Sequence, residues 1–370
     1  RVLFRSKLVP NKFEELIAVL ALYRPGPLGS GMVDDFVERK HGRKTVTYQH
    51  PLLEPILKET NGIILYQEQT MQIASSMAGF SLAQADLLRK AIGKKIPEIM
   101  EEQRLSFVSG CKKKNISETI ATKIFDLIDF FSGYGFNKSH STAYALISYQ
   151  TAYLKANYPL EFMAALLTSE RNNSDKIVVY VNESRELGID VLPPHINSSD
   201  IHFTVTDQGT IRFGLMAVKN VGEAALEKLL HQRSSEGLFK DFFDFCDRVD
   251  TRVVNRKVVE SLIKSGAMDS FGLNRAQMMG LLDICFTKHY KKQDESQLTM
   301  FGDLPKKEVI PPNVQEWPLS ERLGYEKDLL GIYVSSHPVT LQKELLKFIA
   351  HRRIDSFSEG QAQPVSNGKD

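Results

Sequence analysis

The chain has 370 residues, 42% hydrophobic and 25% charged, with a formal net charge of +2. That composition belongs to globular proteins and excludes low-complexity, collagen-like and disulfide-dense classes. Three widely spaced cysteines give no zinc pattern and no disulfide framework, and no apolar run approaches the roughly 18 residues that cross a bilayer. A cytoplasmic protein without membrane contact is therefore expected. The chain begins with Arg1, not Met, and has no signal peptide, so it reads as a fragment of two or three domains.

Helical patterns dominate the first half. Lys12 to Leu22 reads as a helix that Pro25-Gly26-Pro27 ends. Gly62 to Tyr66 is a short apolar run that fits a strand or a buried helix entry equally. "SLAQADLLRKAIG" opens on a capping box, Ser81 with Gln84, and Gly93 is placed to end that helix. Pro97 suits the first turn of the next helix, and Ser117 caps one through Phe131. After "FSGYGFNKSHS" comes another helix, with Ser139 or Ser141 as its cap. Ala143, Leu146, Ile147 and Leu154 are expected to be buried on it, and Tyr149 and Tyr153 to pair at i, i+4.

Around 190–215 the texture changes. "HFTVTDQGTIRFGL" alternates about a Gln-Gly turn, as a small hairpin does. Helices return from Glu223 to Leu282. A polar, proline-containing linker follows, and then a short mixed tail past Trp317.

Four constellations carry chemistry. Arg89, Lys90, Lys94 and Lys95 cluster within one short stretch, which can hold a polyphosphate; equally, cations favour any helix C-terminus. In the turn at Gly133–Ser141, glycines let the backbone approach a ligand, Tyr134 offers a face for a base, Lys138 offers charge, and Ser139 and His140 offer hydrogen bonds. A capped helix start with a satisfied histidine explains the same residues. Lys219, Asn220, Val221 and Gly222, between an apolar run and a helix, fit a hairpin that binds a DNA phosphate through its backbone. Asn220 stands where glycine is usual and tolerates positive φ better than most residues. A plain helix-turn-helix corner also fits. "LIKSGAMDSFGLNRAQMM" reads as a looser second copy. Gln297, Leu298, Thr299, Met300 and Phe301, on the linker, fit either a peptide that docks in a partner's pocket or a loop that folds back. No Asp-x-Asp occurs anywhere, so the paired carboxylates of two-metal phosphoryl transfer are not seen and no metal site is expected in this chain.

"ALYRPGPLGSGMVDDFVERKHGR", "GIILYQEQTMQIA", "ADLLRKAIGKK", "GYGFNKSHSTAYALISYQTAYLKANYPLEFMAALL" and "VLPPHINSS" closely resemble the bacterial replicative DNA polymerase III alpha subunit family, from about Lys12 to Pro338. The resemblance implies a mainly α fold with minor β-hairpin content. It implies polymerase fingers over 1–192, a tandem helix-hairpin-helix DNA-binding domain over 193–288, a linker with a clamp-binding motif over 289–315, and a segment toward an OB-fold over 316–370. It implies DNA-directed DNA polymerase activity in the full subunit, with Mg2+ held by palm aspartates that this sequence lacks, and an inactive fragment in isolation. By the same resemblance, Arg89 and Lys90 meet the triphosphate of the incoming dNTP and Tyr134 the nascent base pair. His140 lies near the sugar, with Lys138 and Ser139 in that pocket. Arg24, Lys94 and Lys95 are further phosphate or DNA contacts, and Lys219 to Gly222 grip the duplex. Gln297 to Phe301 dock on the sliding clamp, the beta subunit. The implied partners are template-primer DNA, dNTP, the clamp and other holoenzyme subunits. The rival is a non-catalytic DNA-binding and clamp-tethering module.

Overall fold

A computed structural model describes residues 7–94, 97–132, 135–283, 286, 310–336 and 338–341. The chain is mainly α-helical with one three-stranded sheet, and divides into two units, Arg1–Tyr153 and Leu154–Asp370.

In the first unit, α1 (Phe13–Leu22) follows Lys12 as expected. Pro25 does not simply end it: Pro25–Gly29 forms a one-turn helix of its own, because proline at the first helical position lacks only an N–H that would have had no partner. Next is α2 (Met32–Lys40), entered through Gly31 at φ 76°. The α1 start is tied to α2 by Lys40, whose Nζ donates to Glu15 Oε2 at 2.7 Å and to the Leu8 and Val9 carbonyls.

The Gly62–Tyr66 run is neither regular strand nor helix. It is an extended, buried entry to α3 (Gln67–Ala78), and it carries a single parallel bridge from Tyr66 to Phe136. Its backbone is satisfied by Gln69, which is 2% exposed. Gln69 Oε1 accepts from the Leu65 and Tyr66 N–H groups at 2.8 and 3.0 Å, and Nε2 donates to Thr60 Oγ1 at 2.8 Å and the Ile56 carbonyl at 3.2 Å. The Thr60 hydroxyl in turn donates to the Ile63 carbonyl at 2.6 Å.

Next come α4 (Leu82–Lys94), α5 (Pro97–Lys113) and α6 (Glu118–Ser132). The Ser81–Gln84 capping box forms reciprocally, Pro97 opens α5, and the Ser117 hydroxyl accepts from the Ile120 N–H. Gly93 does not stop α4. The helix runs on to Lys94, with Ala91 and Ile92 buried in its last turns to hold it. A core of Ile73, Met77, Leu88, Phe107, Phe125 and Ile128 binds α3 to α6, with the Phe107 and Phe125 rings 5.5 Å apart. Gly110 permits the contact between α5 and the end of α3: a Cβ there would stand 2.2 Å from the Ala78 carbonyl oxygen.

α7 (Lys138–Asn157) departs most from expectation. Its cap is Asn137, whose Oδ1 accepts from the His140 N–H at 2.8 Å, and not Ser139 or Ser141. Only Ser141 and Ala145 of this helix are buried. Ala143, Leu146, Ile147 and Leu154 are exposed, Ile147 at 54%. The small residues at i and i+4 make the inward contact, so the larger apolar side chains point out. Tyr149 and Tyr153 do pair, 6.4 Å apart, and Tyr149 meets Phe13 edge-on.

The second unit begins with α8 (Pro159–Ser169) and α9 (Ser174–Glu186). The expected hairpin is present, as β2 (Thr204–Val205) antiparallel to β3 (Ile211–Arg212) in the register Val205–Ile211. It turns through Gly209 at φ 73°. β1 (Val191–Leu192) pairs parallel to β3 and completes the order β1-β3-β2. α10 (Glu223–Glu236), α11 (Phe242–Arg248), α12 (Arg256–Lys264) and a helix α13 over 275–283 follow. α14 (Leu319–Leu330) packs in this same unit, with Leu329, Leu330 and Ile332 in a core shared with Leu226, Phe245 and Leu262. Cys111 is buried and free.

Two outcomes follow. Gln69→Ala is expected to lower unfolding stability by about 3 kcal/mol in urea titration, because it strands buried N–H groups at about 1–3 kcal/mol each. For Glu15, burial raises the carboxyl pKa, but the Lys40 hydrogen bond and the Asn11 and Lys12 N–H groups outweigh it and hold the carboxyl below its ordinary value. The stability it contributes is present above the unfolded-state value and lost as pH falls through the folded one. Glu15→Gln should therefore be less stable than the parent at neutral pH, and melting curves should show the gap closing on acidification.

Candidate nucleic-acid interface

The turn before α7 rests upon the Gly62–Tyr66 entry, to which backbone hydrogen bonds join it directly. The Phe136 N–H donates to the Leu65 carbonyl at 3.1 Å, and the Gln67 N–H donates to the Phe136 carbonyl at 2.9 Å. Gly133 and Tyr134 lie outside the described residues. From Gly135 onward the turn is set against α3.

Phe136 is the centre of this cluster. The Arg24 guanidinium lies 4.3 Å from its ring centroid, and Arg24 Nε donates to the Ala21 carbonyl at 2.9 Å. His140 meets the Phe136 ring edge-on at 5.5 Å and the Tyr144 ring at 4.7 Å. Ser139 and His140 are exposed at the start of α7. Lys138 is not an uncommitted cation. Its Nζ donates to both Glu59 oxygens at 2.7 and 2.8 Å, and its backbone N–H is held by the Glu68 carboxylate at 3.0 Å. Beneath it lies the Tyr66 ring, 5.6 Å away, whose phenol burial pushes to a higher pKa. Arg24, Lys138 and His140 thus come together around Tyr66 and Phe136, with Ser139 exposed beside them on the first turn of α7.

Arg89 and Lys90 lie on α4, one to two turns before its end. They converge on a single anion, Asp86: Arg89 Nη2 is 2.8 Å from Oδ1 and Lys90 Nζ 2.8 Å from Oδ2. The Lys90 and Arg89 hydrogen bonds hold the Asp86 carboxyl below its ordinary value. No hydrogen bond or ion pair joins Arg89 or Lys90 to the Phe136 cluster among the described residues. Lys94 closes α4, and Lys95 lies outside the described residues.

In the second unit the Lys219–Gly222 hairpin has the geometry its sequence requires. Asn220 adopts φ 67°, and its Nδ2 donates to Ser261 Oγ on α12 at 3.2 Å. Lys219, Asn220 and Gly222 are exposed, and Val221 is buried as the hairpin's anchor. Gly222 precedes α10 without any side-chain cap, so the first N–H groups of that helix face outward unclaimed by a side chain. The element before the hairpin is a short 3-10 turn, Leu215–Ala217, and not a full helix. The looser second copy is built as α12, Gly266 at φ 83°, a 3-10 turn at Asp269–Phe271 and α13, capped by Asn274. Arg275, 2% exposed, closes it by bonding Asp269 at 2.7 and 2.8 Å and Glu326 at 3.1 Å.

Gln297 to Phe301 lie outside the described residues. Among the described residues no group of three or more His, Cys, Asp or Glu side chains is placed to hold a metal ion. No described helix is long and apolar enough to cross a membrane. Sequence reasoning missed Glu59, Glu68 and Phe136. Glu68 and Phe136 sit inside quoted motifs, but pairings across 70 and 79 positions leave no local pattern.

A helical unit followed by a hairpin whose helix start is exposed and uncapped by any side chain defines a nucleic-acid-binding class of protein. A family model described as "Bacterial DNA polymerase III alpha subunit finger domain" matches residues 4–115, and one described as "Helix-hairpin-helix motif" matches 188–278. The chain is 48% identical over 360 residues to the DNA polymerase III subunit alpha of Vibrio cholerae, covering 94% of this chain and 31% of that protein. For the Escherichia coli K12 protein of that name the identity is 45% over 377 residues, covering 98% and 32%. For the Haemophilus influenzae one it is 49% over 373 residues, again covering 98% and 32%. The chain thus spans about a third of the length of these relatives, and it belongs to the bacterial DNA polymerase III alpha subunit family, over its finger and helix-hairpin-helix region.

One outcome concerns Lys138. Because the Lys138–Glu59 pair is half-exposed, Glu59→Gln should change stability by under about 1 kcal/mol. It should also raise the acylation rate of the Lys138 amine, read by mass spectrometry after limited labelling.

Proposed function

We propose that this chain closes on the incoming nucleotide and grips duplex DNA within a DNA-directed DNA polymerase III alpha subunit. The observation that carries the nucleotide reading is the convergence of Arg89 and Lys90 on the two oxygens of Asp86. The two cations already share one anion in a fixed geometry. A triphosphate carries more charge than a carboxylate and would displace Asp86 from them. In this reading Tyr134 meets the base pair, and Lys138, Ser139 and His140 line the same pocket, with His140 near the sugar. Arg24, Lys94 and Lys95 are further phosphate or DNA contacts. The Glu59 carboxylate keeps Lys138 in place until a more highly charged ligand arrives.

The hairpin at Lys219–Gly222 binds duplex DNA without reading sequence. The left-handed Asn220 and the exposed, uncapped start of α10 support this. Gln297 to Phe301 dock on the sliding clamp, and the remaining holoenzyme subunits assemble around the full protein in the cytoplasm. Fingers occupy 1–192, the tandem hairpins 193–288, the clamp-binding linker 289–315 and the segment toward an OB-fold 316–370. Magnesium and its aspartates belong to the palm of the full subunit, and the 370-residue chain alone is inactive.

In the full subunit, replacing Arg89 and Lys90 together by alanine is expected to lower kcat/KM for dNTP about 100-fold, at about 1.5 kcal/mol per charge-assisted hydrogen bond. DNA affinity should be little changed in the same titrations. A fall in DNA affinity alone overturns the nucleotide assignment. Phe301→Ala should abolish clamp pull-down while unprocessive synthesis continues; an undiminished pull-down removes the clamp assignment.

A further inference from the structure

A cavity of about 220 Å³ lies in the second unit where Lys219 and Asn220 of the hairpin meet the corner between α8 and α9. Its polar wall is Arg171, Asn172, Ser174, Lys219 and Asn220, and Leu330 lies on its apolar side. No Asp or Glu lines it, so two cations face it with no carboxylate to neutralise them there. The wall is built. The Arg171 guanidinium is positioned through Nη1, which donates to the Thr168 carbonyl at 3.2 Å at the end of α8. Its Nε is buried and has no hydrogen-bond partner among the described residues. Such a buried donor is costly unless something accepts from it. Asn173 caps α9 with its own side chain, and Ser174 starts that helix at the cavity. Gly331 lets the end of α14 close the wall: a Cβ there would stand 3.0 Å from Ser174 Cβ. Arg171 and Ser174 fall outside both segments that the family models match.

We infer that this cavity holds a phosphate group between Arg171 and Lys219. The grip on nucleic acid then extends from the hairpin to the corner between α8 and α9. The inference rests on the hairpin's DNA-binding role. Size, the absence of lining carboxylates and the unpaired Nε fit a tetrahedral oxyanion. The source is a DNA backbone phosphate or a free phosphate, and two measurements separate them.

The first measures binding of the 370-residue chain to a duplex of random sequence by fluorescence anisotropy across a salt series. Arg171→Gln, which keeps a donor for the Thr168 carbonyl, is expected to bind about tenfold more weakly. Its slope of log affinity against log salt should fall by about one. The second compares melting temperature in inorganic phosphate with that in chloride at equal ionic strength; a rise in the parent that Arg171→Gln loses assigns the site to free phosphate as well. If neither duplex affinity nor the phosphate response changes in Arg171→Gln, the inference is wrong. Lys219→Gln distinguishes the two levels: if it alone weakens duplex binding, the hairpin reading stands and this cavity is not a phosphate site. If neither variant weakens duplex binding, the hairpin reading falls too.

Discussion

The first unit depends on one buried amide. Gln69 makes four hydrogen bonds at once, two accepted from backbone N–H groups of an irregular segment and two donated to its other side. Without them, an extended run between helices would bury unpaired backbone groups, at about 1–3 kcal/mol for each. With them, the run is held rigidly enough to present the Leu65 carbonyl and the Gln67 N–H to Phe136. The turn before α7, and the exposed Ser139 and His140 that follow, are therefore positioned from beneath by a side chain 67 residues away from Phe136 in sequence. The ion pairs above this layer are of a different order. Lys138–Glu59 is partly exposed and contributes under about 1 kcal/mol, and the Asp86 pairs with Arg89 and Lys90 are solvent-screened.

The second unit uses a charged version of the same device. Arg275 and Glu326 are both almost fully buried, a costly arrangement unless all their donors and acceptors are used. They are well used: besides Arg275, Glu326 accepts from the Val334 and Ser335 N–H groups and the Ser335 hydroxyl. The guanidinium fills the space beside Gly266 that any Cβ would claim, 2.3 Å away. This ties the second hairpin to α14 and to the segment after it. The Asn220 amide bonds Ser261 and ties the first hairpin to α12. Both hairpins are fixed by polar side chains that reach across the motif; the start of α10 is left without a side-chain cap, whereas the first N–H groups of α13 donate to Glu316 and Asn274.

Local chemistry was legible in the sequence wherever it is local in space. The Ser81–Gln84 box, Pro97, the Gln208-Gly209 turn and left-handed Asn220 all depend on neighbours within four residues, and all are present. Gly93 lies one residue inside the end of α4, because the buried Ala91 and Ile92 keep that last turn packed and glycine is tolerated within it. The α7 face was misread because its large apolar residues suggested burial, whereas the small Ser141 and Ala145 make the close contact. The partners of Lys138 and the two bonds of Phe136 are long-range, so no periodicity announces them. Arg89, Lys90 and the hairpin could be picked out from charge and glycine spacing, but Asp86 as their shared anion emerges only from helix geometry.

The claim that the Gln69 amide holds the Phe136 turn is tested most directly by amide hydrogen exchange at Phe136 and Gln67, in the parent chain and in Gln69→Glu. The account predicts slow exchange at both positions in the parent and much faster exchange at both in the variant, with α5 and α6 amides unchanged. Fast exchange at Phe136 in the parent, or equal protection in the variant, would contradict it.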